Sequence, residues 1–454
     1  MQVKIESLKK SLGFWDSVAI NVGIVIGVGI FRVPGEVARY LDTPFLMLAG
    51  WVAGGLIALL GVLCYAELAS SFPHTGGTYV YLREAYGKPM GFIFGWMEFT
   101  IQRTGSIAAV AYIFTNYLGN ALPFALRFEK LTAIFAVLFF TLLNIRGLHV
   151  GARVQSLLSF LKGAAIFAIA VLVFIFSKGP GGFQAPAPEG FHAGFFHYAA
   201  GMIPIIWAYG GWHESTFVTG EFRDTKKELP RSLVAGALIV MALYLLINTA
   251  YLKVLSPAEM AGQKAIAAEV LKRLFGKVGL VMITTAVLIS SGGALNSTIL
   301  TGGRIPFAVA CDNPAMGGIS RVHQGFGTPV LSLGLNALWA CVLVLWGNFE
   351  RLLFFTAFAN WFFFTLAGIG VFILRRRALK SPAVFSAAQD TKFSMPGYPW
   401  VPVLFVGSSV LLCLTTILHA PRESLFGTCL ILSGVPVYAF VQWKGRLKGR
   451  VGLS

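Results

Sequence analysis

Long apolar stretches, separated by short polar segments rich in Lys and Arg, run through almost the whole chain. Each stretch reaches or approaches the roughly 20 residues that an α-helix needs to cross the hydrocarbon of a bilayer. The pattern therefore predicts an all-α integral membrane protein with about twelve transmembrane helices. The first stretch follows Lys10, and the others begin near Pro44, Gly87, Lys130, Val154, Phe195, Ser232, Val278, Thr328, Arg351, Val401 and Ser424.

Glycine interrupts two of these stretches. The first interrupted stretch is Ile24–Phe31, with Gly27 and Gly29, and the second is Ile206–Trp212, with a Gly-Gly pair. Glycine disfavours the helix, so the backbone can unwind there and expose N–H and C=O groups. Unwound backbone at membrane depth is tolerated where it is buried in protein or lines a cavity, and its half-helix ends suit charged ligand groups. Close helix packing is the alternative explanation for either stretch alone.

The second interruption follows about five spans after the first, and such spacing points to an inverted-repeat transporter whose site lies where the breaks meet. This repeat rests on hydropathy alone, because the two halves show no clear residue-level similarity. The predicted divisions are a cytoplasmic tail at 1–10, a first repeat at 11–177, a second repeat at 195–377, a cytoplasmic loop at 378–398, two C-terminal helices at 399–443 and a cytoplasmic tail at 444–454.

Composition supports the membrane assignment. Hydrophobic residues make up 56% and charged residues 12% of the chain, with a mean hydropathy of +0.73, which is too apolar for an ordinary soluble core. The net charge of +17 does not indicate nucleic-acid binding, because the basic residues lie in short loops between apolar runs. We expect neither a metal site nor a disulfide framework, because no close pairing occurs among the five cysteines, which are Cys64, Cys311, Cys341, Cys413 and Cys429.

The basic residues also predict the orientation. With the N-terminus inside, 22 Lys and Arg residues fall on the inside and 12 on the outside, so the positive-inside rule places both termini in the cytoplasm. The first apolar stretch is too long for a signal-peptide core and lacks a small-residue cleavage site, so we expect the first helix itself to direct insertion. The loop between Lys253 and Lys277 is expected to form a short amphipathic helix at the surface.

Four segments, in order along most of the chain, resemble the amino acid-polyamine-organocation superfamily. Gly27–Phe31 resembles the G-S-G-I-F signature of its first helix, and Tyr65–Leu68 with Pro73–Leu82 looks like its second helix and following loop. Ala208–Trp212, Phe217–Glu221 and Leu229-Pro230 are similar to the sixth helix of its L-type amino-acid transporters. Phe393–Pro399 resembles the segment before the eleventh helix in prokaryotic members.

The resemblance implies a LeuT-like five-plus-five inverted repeat with broken helices 1 and 6, two additional C-terminal helices and an amino-acid substrate. The substrate carboxylate needs N–H donors, which the first break offers at a half-helix N-terminus, and the ammonium needs the carbonyl acceptors of the second. The predicted substrate-binding residues are Ile26, Gly27, Val28, Gly29 and Ile30 in the first break and Trp207, Ala208, Tyr209, Gly210, Trp212 and His213 in the second.

Side chains around the breaks must distinguish one amino acid from another. Trp207, Tyr209, Trp212 and His213 are the main candidates, and Gln102, Arg103, Gly105 and Asn360 are weaker ones. Aromatic residues beside glycine breaks are as often packing or gate residues as ligand contacts, and the histidine stands where the L-type family usually has an asparagine. No acidic residue stands at the breaks themselves, which favours a neutral amino acid.

Lys162 lies inside an apolar run, where an ionisable residue indicates a functional site. It resembles the fifth-helix lysine of sodium-independent members, whose ammonium occupies the ion site of sodium-coupled relatives. We expect it to bond carbonyls of the first break and the hydroxyl of Ser290 or Ser291; a lysine snorkelling to the interface is the alternative. Arg103 is the other intramembrane cation, and Glu98 is expected to neutralise it.

These observations predict a sodium-independent secondary transporter of neutral amino acids that works by alternating access, as an exchanger or, alternatively, as a proton-coupled symporter. An enzyme is not predicted, because the sequence lacks HExxH, GxSxG and P-loop motifs and its histidines lack metal-ligand spacing. A channel would need a pore lined by polar rings, which fits the matched broken helices less well. A primary pump is not predicted, because the sequence contains no ATP-binding segment.

The expected partners are the amino-acid substrate and the lipid bilayer, with no cofactor, metal or nucleic acid. Eukaryotic L-type transporters bond to a glycoprotein through a cysteine in the loop after the third helix, and the loop from Leu118 to Lys130 contains none. We therefore expect no disulfide-linked heavy chain. The sequence predicts a free-standing prokaryotic carrier in the plasma (inner) membrane and does not predict its oligomeric state.

Overall fold

The computed structural model describes residues 13–72, 76–146, 152–179, 181–184, 194–216, 227–313, 316–319, 321, 323, 328–380 and 393–451. The described residues fold almost entirely as helices. The α-helices are α1 (Phe14–Val25), α2 (Val33–Val37), α3 (Pro44–Ser71), α4 (Thr78–Tyr86), α5 (Lys88–Met97), α6 (Thr104–Ala121), α7 (Phe124–Arg127), α8 (Glu129–Ile145), α9 (Ala152–Phe176), α10 (Phe195–Ala208), α11 (Glu228–Val254), α12 (Pro257–Met260), α13 (Ile266–Asp312), α14 (Val330–Trp346), α15 (Phe349–Lys380), α16 (Trp400–His419) and α17 (Pro421–Val451).

Six helices among the described residues are long and apolar enough to cross a bilayer. They are α3, α11, the Ile266–Leu300 part of α13, α15, α16 and the Pro421–Arg446 part of α17. Three shorter apolar helices cover Leu161–Phe176, Phe195–Ala208 and Val330–Trp346. The helices begin close to the predicted positions, so the membrane class is confirmed, while the count of about twelve spans, the repeat layout and the domain divisions stay predictions.

The third predicted span contains an irregularity in its middle. Between α5 and α6 the residues Glu98–Arg103 form a π-helical turn, and the flanking residues keep right-handed helical backbone angles. Such turns widen a helix locally and are frequent at functional sites. Here the turn begins at Glu98 and ends at Arg103, the two charged residues in the middle of the span.

Helix α11 packs against α1, α3 and α9. Its buried face carries Tyr244, Asn248 and Tyr251. These polar side chains lie in a largely apolar core, where a buried hydroxyl usually needs a hydrogen-bond partner. Helix α11 is therefore placed to contact both interrupted helices.

Two of the sequence motifs meet at one end of the bundle. Arg375 of α15 donates two hydrogen bonds to the Glu67 carboxylate of α3, at 2.6 and 2.5 Å. The backbone N–H of Met395 donates to the same carboxylate at 2.9 Å. The segment before α16 is thereby attached to α3 and α15, which gives a structural reason for a glutamate in the Tyr65–Leu68 motif.

The loop after α11 differs in part from the expected surface helix. It contains the short α12 and the first turns of α13, which Gly276 separates from the rest of α13 with non-helical angles (φ 58°). Ile266 and Val270 are fully buried, so the apolar face packs on the bundle. In α12 the Ser256 N–H and the Arg273 guanidinium bond the Glu259 carboxylate and lower its pKa to about 2.

Candidate functional site

The first interruption lies where the sequence predicted it. Helix α1 ends at Val25, Gly27 is extended (φ −78°, ψ −175°), and Val28–Phe31 form a 3₁₀ turn that leads into α2. Val28 and Gly29 are the first two residues of this turn, so their N–H groups precede its first hydrogen bond. Buried N–H groups are thereby offered at the break.

The second interruption follows α10, which ends at Ala208. Residues 209–216 form turns and a short 3₁₀ segment, and the stretch that would continue the helix, including the Phe217–Glu221 motif, lies outside the described residues. Gly211 has φ +101°, a conformation that favours glycine. The chain therefore changes direction after Ala208 instead of continuing the helix.

One side chain connects the two interruptions. The Tyr244 hydroxyl of α11 lies 2.9 Å from the Val25 carbonyl and 3.0 Å from the Ala208 carbonyl, the last carbonyls of α1 and α10. A carbonyl has two lone pairs, so each of these can accept two donors. The Val25 carbonyl already accepts a second, from the Gly27 N–H at 2.6 Å. Tyr244 is not among the residues predicted for the site; the signal that could have marked it is a phenol within an apolar span, which needs a partner.

Trp207 lies directly on the first break. A Cβ added to Gly29 would stand 3.0 Å from Cζ3 of the Trp207 ring. The same indole packs edge-to-face on Phe349 of α15, with ring centres 5.6 Å apart. The Arg32 guanidinium lies 4.1 Å from the centre of the Phe349 ring. Trp207 is half-buried, so of the four aromatic candidates it is the one placed to cover a ligand at the break.

The other three candidates are held by the core. The Tyr209 hydroxyl donates to the Trp51 carbonyl of α3 at 3.0 Å. Trp212 packs on Tyr65 at 4.9 Å between ring centres, and His213 packs on a phenylalanine of α15 at 4.8 Å. All three are buried, and these contacts favour a packing role over direct ligand contact.

The intramembrane arginine has two carboxylate partners. Arg103 pairs with Glu98 at 3.1 Å, as expected, and with Glu214 at 3.0 Å. The second pair joins the third predicted span to the segment after the second break. Glu98 and Arg103 are almost fully buried, where removal of one partner of an ion pair is costly. The carboxylate nearest the second break is thus engaged by protein.

The weaker candidates also divide into a residue held by helix packing and side chains that are only half-buried. A Cβ on Gly105 would meet Thr356 of α15 at 2.4 Å, so this glycine serves close helix packing. Gln102 and Asn360 are half-buried. The Gln102 side-chain oxygen has no hydrogen-bond partner among the described residues, which leaves it free to accept one.

Lys162 lies at the level of the first break, but the bonds expected for its ammonium are not made among the described residues. A Cβ on the adjacent Gly163 would stand 3.8 Å from Ile26, which places this part of α9 beside the break. Within the described residues Lys162 makes no hydrogen bond or ion pair with the break or with either serine. The Ser291 hydroxyl donates to the Val287 carbonyl of its own helix at 2.7 Å, and the Ser290 hydroxyl is buried without a partner there.

Comparison with known proteins adds an independent line of evidence. A family model described as "Amino acid permease" matches residues 12–440. The serine/threonine exchanger SteT of Bacillus subtilis (strain 168) is 31% identical over 442 residues, which cover 96% of this chain and 98% of that protein. The b(0,+)-type amino acid transporter 1 of Mus musculus is 29% identical over 98% of this chain and 90% of its own length. The mouse Asc-type amino acid transporter 1 is 27% identical, with 97% and 83% covered.

Proposed function

The chain belongs to the amino acid permease family, and on this premise we propose that it is a sodium-independent exchanger of neutral amino acids that works by alternating access. The observation that carries the proposal is the meeting of two interrupted helices at Tyr244. A zwitterion needs donors for its carboxylate and acceptors for its ammonium within one site. The Val28 and Gly29 N–H groups supply donors, and the Trp207, Ala208 and Tyr209 carbonyls supply acceptors.

The charges around the breaks support a neutral substrate. A cationic side chain would need a carboxylate of its own inside the low-dielectric site. The two carboxylates on the described segments beside the second break, Glu98 and Glu214, both bond Arg103. Recruiting either one for a substrate would break a buried pair. Trp207, which covers the break, offers an apolar face to the substrate side chain.

The sodium independence in this proposal rests on Lys162. Its side chain is half-buried on α9 beside the first break, and an ammonium there fills the role that a metal cation has in coupled relatives. In the proposal the ammonium bonds the break carbonyls and Ser290 of α13 at another stage of the cycle; the Ser290 hydroxyl is buried and has no partner among the described residues.

Transport in proteoliposomes tests the proposal. Vesicles loaded with unlabelled serine or threonine, the residues named for the bacterial relative, should take up labelled substrate, and empty vesicles should not. Replacing sodium by choline should leave the rate unchanged. Uptake into empty vesicles driven by an imposed pH gradient alone would instead establish the proton-coupled alternative, and uptake that requires sodium would refute the role given to Lys162.

The cellular setting is part of the same proposal. We place the carrier in the plasma (inner) membrane of a prokaryote with both termini cytoplasmic, on the distribution of Lys and Arg. The loop from Leu118 to Lys130 contains no cysteine, so no heavy chain is linked there by a disulfide. Exchange by the purified chain alone would support this, and activity that appears only with a second protein would contradict it.

A further inference from the structure

Three aromatic rings from three separate elements meet at one end of the bundle. The rings of Tyr40, His197 and His419 form a nearly equilateral triangle, with centre-to-centre distances of 5.3, 6.0 and 6.2 Å. The two imidazoles form the longest side, and their planes are inclined by 56°. His197 is half-buried and His419 is exposed, so the cluster opens to the surface.

Close packing brings these rings together. His197 lies in the first turn of α10, and one turn later a Cβ on Gly201 would stand 3.0 Å from Cβ of Tyr40. The small residue therefore lets α10 lie against the segment that follows α2. Helix α16 packs on α10 and ends at His419. The imidazoles thus belong to two different helices held at a fixed separation.

We propose that His197 and His419 form a two-imidazole site for a divalent transition-metal ion, with Zn²⁺ as its representative and water in the remaining positions. Imidazoles that share a zinc ion at about 2.0–2.1 Å from each nitrogen place their ring centres roughly 5 to 6 Å apart. The observed 6.2 Å approaches that spacing, so small side-chain rotations suffice. Imidazole suits zinc, copper and nickel, whereas oxygen ligands suit magnesium and calcium.

The site is open and of moderate affinity. Among the residues that the structure describes, no three His, Cys, Asp or Glu side chains cluster as a closed metal site would require. Two nitrogen ligands give a reversible site that chelators empty. Its occupation links the first turn of α10 to the end of α16 and restrains α10, the helix that carries Trp207 at the second break. Bound metal therefore slows transport.

Thermal unfolding of the purified protein with ZnCl₂ tests binding without any reference to transport. We expect the wild type to be stabilised by Zn²⁺ and EDTA to reverse the effect, because a ligand that binds only the folded state raises its stability. His197→Gln and His419→Gln should each weaken the apparent Zn²⁺ affinity at least tenfold. The double variant should have the same Zn²⁺ affinity as either single variant, because the loss of one imidazole already removes the site. His323→Gln, in the segment between α13 and α14, is the matched control and should respond like the wild type.

Exchange in proteoliposomes tests the restraint on α10. Added ZnCl₂ should inhibit the wild type and the His323→Gln control alike, and at least tenfold more Zn²⁺ should be needed for either single variant. Unfolding in EDTA verifies that the variants are folded. Equal Zn²⁺ stabilisation of the wild type and both single variants, or none at all, would overturn the site. Stabilisation without inhibition would overturn the restraint, and failure of exchange without metal would concern only the proposed function.

Discussion

Removal of the Tyr244 hydroxyl should weaken the connection between the ends of α1 and α10. In Tyr244→Phe the Val25 carbonyl keeps its bond from the Gly27 N–H, whereas the Ala208 carbonyl loses the hydroxyl at 3.0 Å. Leaving a buried acceptor unsatisfied costs about 1–3 kcal/mol. We therefore expect the free energy of unfolding to fall by that amount, and exchange to slow, because the ends of α1 and α10 are no longer held together.

Tyr251→Phe provides the matched control. This tyrosine lies two turns further along α11 and is equally buried, and its hydroxyl has no hydrogen-bond partner among the described residues. The same substitution there removes a buried polar group without breaking a bond, so stability should be unchanged or slightly increased. Unfolding by SDS in mixed micelles measures the stability of both variants, and counterflow in proteoliposomes measures their exchange rates. Equal stability and equal exchange in the two variants would refute the role assigned to Tyr244.

Three further predictions test other parts of the structure. Gly29→Ala places a Cβ 3.0 Å from the Trp207 ring, whereas the nearest atom for Gly27→Ala is 3.8 Å away; the first should lower unfolding stability by about 1–3 kcal/mol and the second should not. Glu98→Gln leaves the buried arginine with Glu214 as its remaining carboxylate partner and replaces one charged hydrogen bond by a neutral one. It should cost about 1–3 kcal/mol, and a neutral result would show that the pair is dispensable. The capping N–H and an arginine lower the pKa of Glu259 to about 2, below an unfolded value of about 4.3. Its stabilisation, under about 1 kcal/mol because the group is exposed, is therefore present above pH 4.3 and lost as the pH falls towards 2. Glu259→Gln should be less stable than the wild type at pH 7, and the difference should shrink in unfolding measured at pH 3.5.

The helices and the two interruptions could be predicted because both depend on local sequence. Apolar runs of sufficient length define the spans, and α1 ends at Val25 because Gly27 and Gly29 follow within one turn. Neither feature requires knowledge of distant residues. The pairing of Arg103 with Glu98 was predictable for the same reason.

Contacts between distant segments could not be predicted. The Arg103 partner Glu214 lies 111 positions away. A phenol in an apolar span indicates that its hydroxyl needs a partner, but the sequence does not show that the partners of Tyr244 are the two breaks. Helical periodicity also fails after Ala208, because the positive φ of Gly211 turns the chain. The faces of Trp212 and His213 therefore could not be extrapolated from α10, and both lie in the core.

The bonds expected for Lys162 could not be predicted from the sequence, because they depend on where its ammonium lies. Its depth within the span follows from the sequence, but the direction of its side chain depends on how α9 is rotated against its neighbours. In the described structure Ser291 bonds its own helix, as serines in membrane helices commonly do. Lys162→Ala separates the two cases: loss of exchange would support the coupling role, and normal transport that is indifferent to pH would remove it.

The central claim is that the two interruptions hold the charged ends of one zwitterion. An experimental structure with a bound neutral amino acid tests it most directly. We predict the substrate carboxylate within about 2.7–3.2 Å of the Val28 and Gly29 N–H groups and the ammonium at the same distance from carbonyls of Trp207–Tyr209. An amino acid bound elsewhere, with both sets of backbone groups unoccupied, would contradict the claim.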